Sequence, residues 1–392
     1  MKLQIKSFAF VIIAALFLTF MSNCAKDEPT NDEPVENPYG IPSDRLATLN
    51  PEITDPNAII PNYQFEELEG GNGLRVFKID MTGIMDPNTD EWMDLYGTNE
   101  SRQNLWLSLD GQPKGILVKN HSDDSQLSSK IDLVFLVDNS GSMYEEADAV
   151  ARDIVNWANN LANSGIDIQF GCVGYSVWGD INGGIDFTTQ NGLDEFLNYE
   201  GYTGTARTQH FGGENAEELE SFANSYGYTG DECGVMALRF ANDYFSFRVG
   251  ANRIYVNFTD EPNQPYYHDE WSVEYLNPEN GNWLPQQGTV HTVFSENPDY
   301  YSESPGYYEY PWRMSEYTGG TILYANSDFS GVSLDDLPVT GAMQHSYSIY
   351  FTIPDSMRNR AEHKMKVTLL SKDESVRAER EFLIDFDSNS ER

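Results

Sequence analysis

A nearly unbroken apolar run, Ile131-Asp132-Leu133-Val134-Phe135-Leu136-Val137, constrains the fold of this chain more than any other segment. Such a run is typical of a strand that is buried on both faces of a parallel sheet. Asp138-Asn139-Ser140-Gly141-Ser142 follows it directly, and open α/β sheets place their binding sites at such strand ends. The segment therefore predicts a buried strand whose carboxyl end carries a polar site.

Strands and helices are expected to alternate behind this strand. Residues 145–163 carry apolar side chains at helical spacing, and shorter helical patterns follow at 216–223, 233–247 and 334–343. Further apolar runs at 166–173, 253–258, 289–294 and 321–324 are typical of strands. This alternation predicts an α/β fold: a doubly wound, mostly parallel sheet flanked by helices.

The regions on either side are strand-rich. Residues 61–128 and 344–392 contain short alternating segments with turn residues between them. We expect these two segments to pair into an accessory β-sandwich around the α/β region, residues 129–343. Residues 24–60, rich in Pro, Asn, Asp and Glu, are predicted to be a flexible tether.

The first 23 residues have the pattern of a secretory signal, with Lys2 and Lys6 before a short apolar stretch. Cys24 stands at the expected cleavage position, which resembles a bacterial lipoprotein signal with Cys24 as the acylated residue. The acidic residues just behind it resemble those of Bacteroidota surface lipoproteins. These features imply an outer-membrane lipoprotein exposed at the cell surface, with the lipid as its only membrane contact.

The polar loop behind the first strand has the chemistry of a cation site. Asp138, Ser140 and Ser142 offer one carboxylate and two hydroxyls on a tight loop, and Gly141 gives that loop backbone freedom. Few anionic groups together with neutral oxygens suit Mg²⁺, or Mn²⁺ in the same shell, better than Zn²⁺. Capping serines in a strand-end turn are the alternative interpretation of the same residues.

Three segments in this order resemble the von Willebrand factor type A family over residues 129–343. Asp138, Ser140 and Ser142 match the first loop of that family's metal-ion-dependent adhesion site, and Asp260 matches its outer aspartate. The segment Thr318-Gly319-Gly320 resembles the family's Thr-Gly-Gly before the last strand. The resemblance implies a von Willebrand factor A / Rossmann-like fold with an integrin I-like cation site.

In the second loop the favoured ligand is Thr229, because a neutral ligand leaves the ion with a greater demand for an acidic partner, and Glu232 is the alternative. Thr229 matches the threonine of integrin α-type domains, whereas Glu232 matches the glutamate of integrin β-type domains. Glu145 and Glu146 stand where integrin β domains hold an adjacent regulatory ion, for which Ca²⁺ is a candidate. The alternative for these two acids is a first helical turn that is stabilised by the helix dipole.

The resemblance implies a binding module rather than an enzyme. In the family, a partner protein supplies an acidic side chain to the open position of the cation, and the last helix shifts; residues 334–343 stand in the place of that helix. The alternative is a structural or assembly subunit of a surface complex or fimbria. A net charge of −38 repels nucleic acid.

Two cysteines besides Cys24 leave a further question open. Cys172 and Cys233 are the only other cysteines in the chain. A disulfide between them is compatible with an extracytoplasmic protein, and so are two buried thiols.

Overall fold

The computed structural model describes residue 37 and residues 39–70, 74–89, 91–121, 130–164, 166–198, 203, 216–329, 334, 338–357 and 362–386. The predicted signal segment, Cys24 and most of the predicted tether before residue 37 lie outside the described residues. Residues 39–60 are described and lie along the antiparallel sheets. Ile41 and Ile60 are buried there, and the Asn50 amide donates to Thr368 Oγ1 at 2.9 Å.

The described strands number fourteen and form three sheets. In chain order they are β1 (Tyr63–Leu68), β2 (Leu74–Met81), β3 (Leu105–Leu109), β4 (Gln112–Pro113), β5 (Leu117–Asn120), β6 (Lys130–Asp138), β7 (Asp167–Tyr175), β8 (Ile181–Thr188), β9 (Asn252–Thr259), β10 (Thr289–Phe294), β11 (Ile322–Tyr324), β12 (Tyr347–Pro354), β13 (His363–Leu370) and β14 (Arg377–Ile384). The described α-helices are α1 (Ala147–Asn163), α2 (Gln190–Leu197), α3 (Glu217–Tyr226), α4 (Gly234–Tyr244), α5 (Arg313–Thr318) and α6 (Pro338–Gln344).

The six-stranded sheet has the order β11-β10-β9-β6-β7-β8. Its strands pair in parallel except at the edge, where β8 runs antiparallel to β7 with two irregularities in register. Alternate residues of β6 point to opposite faces, and each face joins a separate apolar cluster. Leu133 and Phe135 pack with Ile154 and Trp157 of α1, whereas Val134 packs with residues of α4.

The two four-stranded sheets are antiparallel and have the orders β1-β2-β12-β5 and β14-β13-β3-β4. Each joins strands from both ends of the chain, since β12 pairs with β2 and β5, and β13 pairs with β3. Alternate side chains of both sheets, such as Ile349 and Phe351 of β12 and Val367 of β13, share one apolar core. The first and last strands are therefore held together by common burial.

The predicted fold class is wrong as a description of this chain. A doubly wound, mostly parallel sheet flanked by helices, of the von Willebrand factor A / Rossmann-like type, is not what the described residues form. They form two antiparallel sheets with eight of the fourteen strands and one mixed sheet, with few helices. Two features account for the difference. The antiparallel sheets are assembled by long-range pairs such as β12 with β2 and β13 with β3, and the edge strand β8 turns back on β7 in a hairpin.

None of the helices in the described ranges is both long and apolar enough to span a bilayer.

Gly319 ends α5 with a left-handed backbone, at φ +80°. A Cβ placed there would lie 2.6 Å from Pro61 Cα and 2.8 Å from the Ile60 carbonyl oxygen, so the turn packs directly against the chain entering β1. We expect Gly319→Ala to lower the free energy of unfolding by more than about 2 kcal/mol, because a left-handed alanine costs about 1 kcal/mol and the contact adds to it.

Gly111→Ala is the matched control for this substitution, since Gly111 has φ +76° and its added Cβ would meet no atom within 4 Å. Urea unfolding of the two variants measures the difference. Equal losses would show that Gly319 is required for its backbone conformation alone.

Both cysteines of the described residues are free and buried. Cys172 lies in β7 and Cys233 precedes α4, and burial raises the pKa of the Cys233 thiol to about 12. Since the thiolate is the reactive species, we expect a thiol reagent to leave Cys172 and Cys233 unmodified in the native protein and to label both of them in denaturant. Labelling of neither residue in denaturant without reductant would indicate a disulfide.

Candidate functional site

The carboxyl ends of β6 and β9 bring the first and third predicted loops together. The two strands are parallel neighbours, and Val137 is opposite Phe258 in their register. Asp138 ends β6 and Thr259 ends β9, so both strands release their polar residues at one edge of the sheet. Adjacent parallel strands thus place Asp138 beside Thr259 and Asp260.

Hydrogen bonds join the four residues predicted on these two loops into one chain. The Ser140 amide donates to Asp138 Oδ1 at 2.9 Å. The hydroxyls of Ser140 and Ser142 are 2.8 Å apart, and Ser142 Oγ donates to Asp260 Oδ1 at 3.1 Å. The side-chain oxygens of Ser140, Ser142 and Asp260 therefore face one another, next to a carboxylate that is fully buried.

Thr259 is a member of this cluster that the sequence analysis did not single out. Its hydroxyl donates to Asp138 Oδ2 at 2.7 Å and also accepts from the Glu261 amide at 3.1 Å. Both oxygens of Asp138 are thus engaged, one by each loop. The signal for Thr259 in the sequence is its place as the last residue of an apolar strand, directly before Asp260.

The two candidate residues of the second loop occupy different places. The Thr229 hydroxyl donates to the carbonyl of Asp231, and the backbone next to it is bound to Trp178; the structure shows no hydrogen bond from Thr229 to the first loop. Glu232 is buried and accepts from the Gln264 amide at 2.9 Å. The charge of Asp138 acts on the Glu232 carboxylate.

Glu145 and Glu146 also differ from each other. Glu145 is exposed and accepts a hydrogen bond from Tyr144. Glu146, directly before α1, is 2% exposed, and its carboxylate accepts from Ser295 Oγ at 2.8 Å. Glu146 thus lies at the start of α1 with its carboxylate facing inward toward the end of β10.

The carboxylates of this cluster raise one another's pKa. Burial, and then the charge of Asp260, raises the pKa of Asp138 to about 8. Burial, followed by the charges of Asp138 and Asp231, raises the pKa of Glu232 to about 9. Burial raises the pKa of Asp260 to about 6, with Glu296 adding to the shift. The positive charge that buried carboxylates normally require is not supplied by the neighbours named here.

These residues fit a small divalent cation on the chemistry of the donor set. Two carboxylates, Asp138 and Asp260, stand with two serine hydroxyls, which are hard oxygen donors of the kind that Mg²⁺ and Mn²⁺ prefer. Among the described residues, no group of three or more His, Cys, Asp or Glu is arranged to hold a metal ion. The set of Asp138, Asp260 and the two serines does not meet that criterion, because only two of its four side chains are carboxylates and the other two are hydroxyls.

Comparisons with known proteins give little beyond this geometry. No protein-family model matches the chain, and no curated protein matches it. Among solved structures it is similar to the pilus adhesin SpaC from Lactobacillus rhamnosus GG in its open conformation, at 11% sequence identity, 85% coverage of this chain and a TM-score of 0.30. The chain spans about half of that adhesin, 48%. A TM-score this low supports no argument about fold or function.

Proposed function

We propose that this protein is a surface binding module that holds a partner protein through a divalent cation, Mg²⁺ or Mn²⁺, bound by Asp138, Ser140, Ser142 and Asp260. The observation that supports this proposal is the hydrogen-bonded series of oxygens across two loops. The Asp138 carboxylate is fully buried, that of Asp260 is half-buried, and the charge of Asp260 repels that of Asp138. The resemblance of these loops to the metal-ion-dependent adhesion site is part of the proposal.

The chemistry of the proposed site follows from its charge. A divalent cation neutralises Asp138 and Asp260, and the serine hydroxyls complete its contacts with the protein without adding charge. Glu232 is the proposed second-loop residue because its charge reaches Asp138. Thr259 is a positioning residue, since its hydroxyl fixes Asp138 Oδ2. A partner carboxylate then provides a further hard oxygen ligand.

We also propose where the protein is located in the cell. Acylation of Cys24 would hold the protein at the outer membrane with its cation site toward the surroundings. The site is proposed to bind a protein ligand, not to catalyse a reaction. Ca²⁺ near Glu145 and Glu146 belongs to the proposal as a second ion, and the inward position of Glu146 favours that residue over Glu145.

The test is a binding assay on a panel of immobilised extracellular-matrix proteins, carried out in Mg²⁺ and in EDTA. We expect binding that EDTA and Asp138→Ala each abolish, whereas Asp299→Ala, which removes an exposed carboxylate, leaves it unchanged. Binding that persists in EDTA and in Asp138→Ala would contradict the proposal and favour a structural or assembly subunit of a surface complex.

A further inference from the structure

A second surface beside the candidate cation site carries exposed aromatic rings. Tyr266 and Tyr267 lie on the loop behind β9, and their side chains are 44% and 71% exposed. Tyr307 contacts both, with ring centroids 5.0 Å and 5.7 Å away. Tyr308, the next residue along the chain, is 36% exposed. We call these four residues, Tyr266, Tyr267, Tyr307 and Tyr308, the aromatic surface.

A contiguous patch of exposed aromatic rings is unusual on a protein surface and marks an interaction site. Isolated apolar side chains occur on every surface, but here the rings touch one another. Tyr307 is also 4.5 Å from the ring of Tyr308. The aromatic surface is therefore a continuous contact area, not a set of scattered residues.

The backbone holds two of these rings in an unfavourable conformation. Tyr266 and Tyr267 have φ values of +53° and +65°, a region that bulky residues avoid. The Tyr267 amide donates to the Gly306 carbonyl at 2.6 Å, and the Gly306 amide donates to the buried carboxylate of Glu309 at 3.1 Å. Strain of this kind persists only where the surrounding structure enforces it.

Glu309 is the residue that fixes the loop. Its carboxylate also accepts from Asn263 Nδ2 at 3.1 Å, Ser272 Oγ at 2.6 Å and the Val273 amide at 2.7 Å. One buried side chain thus accepts four hydrogen bonds and ties three points, at residues 263, 272–273 and 306, of the long segments behind β9 and β10. The rings are consequently presented in a fixed arrangement.

The charges next to the aromatic surface are negative. The charge of Asp231 acts on the Tyr266 phenol and on Glu261, and Glu261 in turn lies within reach of Asp260 and Glu296. A nearby base, Arg239, is occupied by the ring of Tyr275 and by the Glu270 carbonyl. Carboxylates beside the faces of Tyr and Trp rings attract cations, most of all the planar guanidinium of arginine.

We infer that the aromatic surface binds a basic, arginine-bearing segment of a protein partner. Each guanidinium would stack on a ring while Asp231 supplies the opposite charge. This contact goes beyond the proposed cation site, because none of the four rings belongs to the set that holds the ion. It therefore does not require the divalent cation.

The experiment uses the full chain in EDTA with 150 mM salt, conditions that remove any role of the cation and screen weak surface charge. The probes are three fluorescent twelve-residue peptides in which Gly alternates with Arg, Lys or Glu. The native protein is expected to bind the Arg peptide severalfold more tightly than the Lys peptide, and the Glu peptide not at all.

The double variant Tyr266→Asn/Tyr267→Asn should weaken binding of the Arg peptide about tenfold or more, and asparagine tolerates the left-handed backbone. Phe222→Gln removes an exposed ring from α3 and should have no effect. Because the assay is run in EDTA, its result does not depend on the cation site.

Three outcomes would overturn the inference. The first is equal binding of the Arg and Lys peptides by the native protein, and the second is unchanged Arg binding in the double variant. The third is binding of a neutral oligosaccharide, with cellohexaose as the probe, that the double variant abolishes while the Arg peptide does not bind. That last result would assign the aromatic surface to a sugar.

Discussion

Asp138→Asn is expected to make the protein more stable than the native chain in EDTA, and to remove the stabilisation that Mg²⁺ gives to the native chain. In EDTA at pH 8 the variant should be more stable than the native protein by about 1–3 kcal/mol, the scale of an uncompensated buried polar group. The reason is that Asp138 is fully buried and repelled by Asp260. In Mg²⁺ at about 100 times its dissociation constant, the native protein gains about 2.7 kcal/mol, and the variant gains nothing.

The pH dependence of the native protein in EDTA has a definite sign. The pKa of Asp138 is raised by folding to about 8, so the folded state keeps a proton that the unfolded state has lost. Stability from this group is therefore present at low pH and is lost as the pH rises from about 4 toward 8. Asp138→Asn should remove that part of the slope, as measured by urea unfolding between pH 5 and pH 8.

Asp299→Asn is the control for both measurements, because that carboxylate is exposed on a short turn behind β10. It should respond to Mg²⁺ and to pH as the native protein does. If Asp138→Asn is the less stable protein in EDTA, and Mg²⁺ stabilises it as much as the native chain, Asp138 is not a ligand of the ion.

The second large effect concerns Arg248, which pairs with a carboxylate inside β6. Asp132 is fully buried, and Arg248 Nε lies 2.7 Å from its Oδ1 while the Arg248 amide donates to its Oδ2 at 2.7 Å. The same guanidinium binds the Ile131 carbonyl at 2.8 Å and Asp167 at 2.6 Å. Burial raises the pKa of Asp132 despite the opposing effect of Arg248, so the carboxylate depends on this partner.

We expect Arg248→Met to lower the free energy of unfolding by about 3–5 kcal/mol, because it leaves a buried charge without compensation. The double variant Asp132→Leu/Arg248→Met should recover most of that loss, since an apolar pair requires no desolvation of charge. Arg152→Met, which breaks an exposed pair with Asp153, should cost less than about 1 kcal/mol. A double variant as unstable as Arg248→Met alone would show that the arginine acts through packing.

Several strands of the mixed sheet could be predicted from the sequence, and the structure confirms them. The apolar run 131–137 lies in β6, the run 253–258 lies in β9, and residues 289–294 are β10. Burial of successive residues leaves a continuous apolar signature that a local pattern can report. The carboxyl ends of β6 and β9 then follow directly from where those runs stop.

The fold class could not be predicted in the same way. The apolar runs indicate the strands of the buried sheet, whereas the antiparallel sheets are joined by pairs of short strands more than 200 residues apart, such as Ile79 and Ile349. The antiparallel direction of β8 comes from a hairpin with β7, which the apolar pattern of the two strands does not reveal. Local periodicity identifies a strand but carries no information about its neighbour.

In the candidate site, too, some residues could be predicted from local sequence and others depend on distant contacts. The positions of Asp138 and Asp260 are visible as acids behind apolar runs, but the inward position of Glu146 depends on Ser295, 149 residues away. The choice between Thr229 and Glu232 depends on how the loop before α4 bends, and the Thr229 hydroxyl is drawn instead to Asp231. The pairing of Arg248 with Asp132 could not be predicted from the sequence, because 116 residues separate them.

The most direct test of the account is anomalous scattering from crystals grown with Mn²⁺, recorded at the manganese absorption edge. The account predicts one strong peak enclosed by the side-chain oxygens of Asp138, Ser140, Ser142 and Asp260, and no such peak in Asp138→Ala. A well-ordered first loop with no peak there, or a manganese ion bound only elsewhere in the protein, would contradict it.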